Sequence, residues 1–253
     1  MAELTRGSDA IYNCANPQYH RWPTDWPPIA SALLAAAQAN DAVLAITGNL
    51  YAYGPVDRPM TEDLPLASSG TKGRVRARMW QDALAAHQAG RVRAVECRGS
   101  DYLGVGAQSL LSLAIVPRLA QRKTAYVPAP LDVRRSWTDV TDMARMLVTA
   151  ATDPRAWGRA WHAPSAEPAT IRHLTELAAA RIGVVAKVRE IPWPAIRAAG
   201  LVNPFARELR ETRYQFDRPF ILDSSAAQQT FGLEPTSLTE SISRIVDSRS
   251  VSA

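Results

Sequence analysis

Apolar residues along this chain fall into two alternating kinds of run. Ala42-Val43-Leu44-Ala45-Ile46-Thr47 and the stretch from Val92 to Arg98 are short and continuous. Runs of that kind suit strands buried on both faces, as in a parallel sheet covered by helices. Longer stretches lie between them. Residues 29–40 carry Ala, Leu and Ile on every face and predict a buried helix, and a second helix is predicted from about 72 to 89, closed by Gly90. Asp9 to Ala15 reads as a further buried strand, broken by Asn16-Pro17. Strands alternating with helices predict an α/β fold with right-handed crossovers. The pattern continues with a helix near 107–121 and a strand near 124–127. Beyond it the segments shorten: helices at 139–151, 169–182, 194–200, 204–213 and 224–230, and strands at 159–162, 186–190 and 220–223. The change predicts a main domain over 1–128 and a smaller α/β lobe over 129–253, with some segments returning to the main sheet. The stretch holding Trp22, Pro23, Trp26, Pro27 and Pro28 reads as a loop, its two indoles either lining a pocket or packing the loop down.

Composition narrows the class. At 47% hydrophobic and 21% charged, the chain is neither a disordered tail nor a membrane protein. Its longest apolar stretch, Ile29 to Ala39, is too short to span a bilayer and contains Ser31 and Gln38. The first residues lack the basic-then-apolar order of a secretory signal. The two cysteines, Cys14 and Cys97, read as buried thiols and fit a cytoplasmic compartment. No metal site is expected, and His20, His87, His162 and His173 read as structural or exposed. The net charge of +5 comes mostly from arginine, since only Lys72, Lys123 and Lys187 are lysines. Arg74, Arg76 and Arg78 are the nearest approach to a basic run, and they read as a solvated helix start, so no nucleic-acid partner is expected.

Several segments then stand in a recognisable order. Ser8-Asp9-Ala10-Ile11-Tyr12-Asn13-Cys14-Ala15 resembles an Asp-x-Val-x-His-x-Ala strand, and Thr47-Gly48-Asn49-Leu50-Tyr51-Ala52-Tyr53-Gly54 resembles a Ser-Ser-x-x-x-Tyr-Gly segment. Arg98-Gly99-Ser100-Asp101-Tyr102-Leu103-Gly104 resembles Arg-x-x-Asn-x-Tyr-Gly-Pro. Trp137 to Ala144 resembles His-Val-Asp-Asp-Val-Ala, and Phe231 to Thr236 resembles Leu-Gly-Trp-x-Pro. Together they resemble the NAD-dependent epimerase/dehydratase family, the extended short-chain dehydrogenases/reductases. The resemblance implies a Rossmann-like parallel sheet, here without its first strands.

The resemblance also implies chemistry on a nucleotide-sugar or another hydroxyl or ketone substrate, with NAD or NADP as cofactor. Its catalytic candidates are Thr47, Asn49, Tyr51, Tyr53 and Lys72, and its cofactor-binding candidates are Cys14, Ala15, Asn16, Arg98, Asp101 and Leu103. In the family a Tyr four residues before the Lys shares one helix face with it, and the Lys charge lowers the phenol's pKa. Here Ser68 stands four before Lys72. No glycine-rich strand–turn–helix for a pyrophosphate is present. An N-terminally truncated chain with an exposed strand edge is therefore expected, as is a start placed too late in the reading frame, since Ala2-Glu3-Leu4 reads like a helix end. Three outcomes stay open: an active oxidoreductase or epimerase, a catalytically inactive ligand-binding protein, and a remnant. Arg134, Arg135 and Arg207 are phosphate candidates. A homodimer through helices like 29–40 and 72–89 is implied, although arginines on the second equally suit water.

Overall fold

A computed structural model describes residues 1–250 of the chain, with the side chains of residues 204, 205 and 250 set aside. Residues 251–253, the end of the lobe as drawn from the sequence, lie outside the described residues. The main sheet has the order β1-β2-β3-β7, all parallel: β1 is Ala10–Asn13, β2 Val43–Asn49, β3 Arg93–Gly99 and β7 Ala160–His162.

Alternation along β2 explains why both faces must be covered. Leu44 and Ile46 point to one side, with Ile11 and Ala94, and pack under helices α1 (Trp22–Ala39) and α2 (Thr71–Gln88) through Leu33, Ala36, Trp80 and Ala83. Val43 and Ala45 point to the other, with Val95 and Cys97, against Met143, Met146 and Leu147 of α4 (Val140–Thr152). Asp139 starts α4 by accepting the Thr141 N–H at 2.7 Å. The fold is thus α/β with a parallel sheet, as the runs predict. Among the described residues β1 is a sheet edge, bonded to β2 alone, and its Tyr12 is 41% exposed.

A second core lies beside the first. It takes Leu103, Leu111, Ile115, Leu119 and Val127 from before residue 128, and Trp137, Ile171, Leu174, Ile242 and Ile245 from after it. Two short parallel pairs frame it: β4 (Asp101–Leu103) with β6 (Trp137–Asp139), and β5 (Ala125–Val127) with β8 (Val188–Glu190). The helices are α3 (Val116–Ala120), α5 (Ile171–Ile182), α6 (Trp193–Ala199), α7 (Pro204–Glu208), α8 (Tyr214–Asp217), α9 (Ser225–Phe231) and α10 (Leu238–Ser250).

Several local expectations change. The Trp/Pro stretch is not a loop, because α1 begins at Trp22 and runs through Pro27 and Pro28. Trp22 and Trp26, one turn apart, clamp the Arg76 guanidinium at 4.7 and 4.4 Å from their ring centres. The helix forms although Pro27 and Pro28 remove two amide donors, with both indoles buried. Arg76 is accordingly buried rather than a solvated helix start. The helix expected near 107–121 is split. Pro117 has no N–H for the Leu113 carbonyl, and Leu111–Ile115 form a wide π turn before α3. Residues 220–223 make only single bridges, Phe220 with Arg135 and Leu222 with Met60, because each neighbour presents one residue there. Residues 2–7 form successive turns, with the Thr5 N–H donating to the Met1 carbonyl at 3.2 Å.

Candidate active site

Loops after parallel strands all emerge at one edge of the sheet, where ligands bind in folds of this kind. β1 ends into Cys14, whose Sγ lies 3.5 Å from Thr47 Oγ1 at the end of β2. Cys14 is exposed, against expectation, because β1 has already left the core at this point; Cys97, inside β3, is buried. Ala15 and Asn16 follow on the exposed rim, with the Ala15 N–H donating to Asn13 Oδ1 at 3.3 Å. Asn49 Oδ1 accepts the Tyr51 N–H at 3.1 Å and bends the chain into a short turn over Tyr51–Tyr53. The Tyr51 hydroxyl meets that of Tyr19, a residue that no sequence motif singles out.

Lys72 opens α2 directly beside this pair. Its ammonium stands 5.4 Å from the Tyr19 ring centre and is only 2% exposed, so it is not a surface lysine. Two carboxylates neutralise it, Glu208 in direct contact and Glu211 at 3.2 Å. Glu211 also accepts the Lys72 backbone N–H at 2.5 Å, on the positive end of α2. Neither glutamate carries a sequence signal, since both belong to short helical turns far along the chain. Ser68, four residues before Lys72, donates its N–H to the Ala52 carbonyl at 3.1 Å and brings no phenol to the site.

Burial raises the Tyr51 hydroxyl well above its ordinary pKa, and raises Tyr19 too, against the pull of its bond to Tyr51. Both phenols are therefore protonated near neutral pH. Asp101 is raised as well by enclosure, although Arg135 opposes this from 3.6 Å. Arg135 is fully buried between Trp137 and Phe216, and none of its guanidinium nitrogens has a hydrogen bond among the described residues. Arg134 donates to the Pro168 carbonyl and Arg207 to the Gly200 carbonyl.

Three of the remaining candidates are buried rather than open to this edge, although Arg98 stands at the β3 end in register with Gly48. Leu103 is part of the second core. Tyr53 and Arg98 belong to a buried network. Arg98 donates to Glu96 at 2.6 Å and to the Tyr53 hydroxyl at 2.6 Å, and Tyr53 is 2.8 Å from His162 Nε2. His162 Nδ1 is 2.8 Å from the Asp223 carbonyl, which only accepts. So Nδ1 carries the proton, Nε2 accepts from Tyr53, and the ring is neutral. Burial pushes Tyr53 up to about 12 and pushes His162 down. Because the folded His162 value is depressed, the unfolded chain binds a proton below about pH 6.5 that the folded chain refuses. Stability is expected to hold above that pH and to fall as the pH drops from it, by up to about 1.4 kcal/mol per unit. Urea midpoints at pH 7.5, 6.5 and 5.5 check this, and His162→Gln should flatten the profile between pH 5.5 and 6.5.

Among the described residues no group of His, Cys, Asp and Glu is arranged to hold a metal ion, and no helix is long and apolar enough to cross a membrane. A parallel sheet wound on both faces, with a polar edge under a second lobe, defines a class of ligand-binding α/β proteins. The particular family follows from its sequence model. This chain belongs to the NAD dependent epimerase/dehydratase family, whose model matches residues 2–162. It is 30% identical over 167 residues to dTDP-6-deoxy-L-talose 4-dehydrogenase (NAD(P)(+)) of Kitasatospora kifunensis, covering 63% of this chain and 52% of that one. The chain thus spans about half the length of this curated relative. Solved structures share the fold. UDP-glucuronic acid 4-epimerase of Bacillus cereus, in complex with NAD, superposes with a TM-score of 0.76 at 17% identity, over 97% of this chain and 74% of that one. UDP-N-acetylglucosamine 4-epimerase of Methanobrevibacter ruminantium M1, in complex with UDP-N-acetylmuramic acid, gives 0.79 at 11%, over 100% and 80%.

Proposed function

We propose that this chain serves an NAD(P)-dependent oxidoreductase or epimerase reaction on a hydroxyl or ketone carbon of a nucleotide-sugar. The observation that carries this reading is the meeting of Lys72, at the start of α2, with the Tyr19–Tyr51 hydroxyl pair, just past the β2 end that holds Thr47 and Asn49. A nicotinamide dinucleotide supplies hydride exchange when bound. The Lys72 ammonium and backbone N–H already bind carboxylate oxygens, and the same donors suit ribose hydroxyls. Thr47, Asn49 and the exposed rim Cys14-Ala15-Asn16 would face that end of the cofactor, and Asp101 lies nearby. The pyrophosphate end finds no match, since no glycine-rich turn joins a strand to a helix among the described residues. Arg135, buried without a hydrogen bond among the described residues and 3.6 Å from Asp101, suits a substrate phosphate or carboxylate.

With dTDP-6-deoxy-L-talose and NADP as probes, turnover is expected, and Lys72→Ala should lower kcat/KM by about 100-fold. Cofactor binding in calorimetry with unmeasurable turnover would instead support a catalytically inactive ligand-binding protein. Two observations favour that second reading: Ser68 stands where the family places its phenol, and two carboxylates neutralise Lys72. No binding of either NAD or NADP would overturn both.

A further inference from the structure

The chain from Gly200 to Arg213 crosses over the sheet edge as a strap. Its outer side is open: Leu201 and Val202 are 78% and 88% exposed. It holds its own shape through the Arg207 guanidinium, which donates to the Gly200 carbonyl at 3.1 Å. Its charged grip on the main domain is on Lys72, through Glu208 and Glu211. The glutamate side chains remain about a quarter exposed, at 24% and 25%, while Lys72 beneath them is 2% exposed. The fit is close: a Cβ on Gly70 would stand 2.7 Å from Glu211 Oε1.

We propose that residues 200–213 form a lid latched onto Lys72 by Glu208 and Glu211, which keeps the lysine from any ligand in the crevice until the strap lifts. A buried ammonium needs either a counter-charge or water. With both carboxylates gone, the 2% exposed ammonium has neither of its two counter-charges under the strap, so the strap should move. With them present, the latched state satisfies the ammonium and the α2 amide together. The latch does not depend on which cofactor the crevice takes.

The lysine content makes the test direct. Lys72, Lys123 and Lys187 are the only lysines, and the last two are exposed. Acetylation by a limiting amount of acetic anhydride, resolved by mass spectrometry, reports Lys72 with two internal standards. In the parent chain Lys72 is expected to react about tenfold or more slowly than Lys123 and Lys187. In the double variant Glu208→Gln/Glu211→Gln it should approach their rates. Gly70→Ala is the second variant: it removes no charge, and its φ of −75° accepts alanine, but its methyl displaces Glu211. It should raise the Lys72 rate by less than the double variant does, since Glu208 keeps its contact, with the circular dichroism spectrum retained. Equal protection of Lys72 in the parent and in a folded variant would overturn the latch, as would full reactivity in the parent. A calorimetric titration with NADPH separates the two readings. Variants that expose Lys72 yet bind no NADPH leave the latch standing and count against the cofactor assignment.

Discussion

Arg98→Met is expected to lower the unfolding free energy by about 3–5 kcal/mol, the largest single loss among the polar substitutions. The guanidinium is the counter-charge of Glu96, with Nε and Nη2 each 2.6 Å from Oε2 and both side chains almost wholly buried. It also donates to the Tyr53 hydroxyl and lies 4.9 Å from that ring's centre. Methionine preserves much of the volume and removes the charge. Glu96 is then buried without a partner, and Tyr53 loses a donor on the oxygen it presents towards His162. Glu96 is closely packed: a Cβ on Gly48, the β2 partner of Arg98, would sit 2.7 Å from Oε1. The same geometry gives the control. Replacing both partners, as in Glu96→Leu/Arg98→Met, leaves no orphaned charge, so the double variant should be more stable than the single one. Urea unfolding of the three proteins at pH 7.5 measures both differences. A single-variant loss below 1 kcal/mol would show that water reaches the network (about the value of a surface pair).

Trp26→Ala is expected to cost a similar amount, about 3–5 kcal/mol. Its indole is 0% exposed, packed with Trp22, Tyr51 and Met79 and stacked on the Arg76 guanidinium. Truncation opens a cavity in the α1–α2 contact and strips one face from a buried cation. Arg76 retains its bond to the Thr47 carbonyl at 3.1 Å, yet burial already lowers its pKa. Because Thr47 and Tyr51 touch the same cluster, the loss should reach the candidate site. Trp26→Phe, which keeps an aromatic face for the cation, should recover more than half of the stability lost in Trp26→Ala. Thermal unfolding followed by tryptophan fluorescence compares the two.

The legible parts of this fold were those written in contiguous residues. β2 and β3 show themselves as apolar runs because both of their faces are buried, and α2 shows itself through its length and its closing glycine. The start of α1 was hidden, because Pro27 and Pro28 argue locally for a loop, while the Arg76 guanidinium that packs on its indoles comes from another helix. The candidate site was half legible. Thr47, Asn49, Tyr51 and Lys72 could be named from motif order. Tyr19, Glu208 and Glu211 could not, since each joins the site by a contact across the chain, with Lys72 and Glu208 separated by 136 positions.

The sequence by itself determined the parallel α/β architecture, the family, and the absence of a tyrosine four residues before Lys72. Periodicity and motif order are local properties and survive without coordinates. Only the tertiary structure decided which charges are buried and what neutralises them: Lys72 under two glutamates, Arg98 on Glu96, Arg76 between two indoles, and Arg135 beside Asp101 without a hydrogen bond. Desolvation and ion pairing depend on distances in space, and distant segments of chain set those distances together.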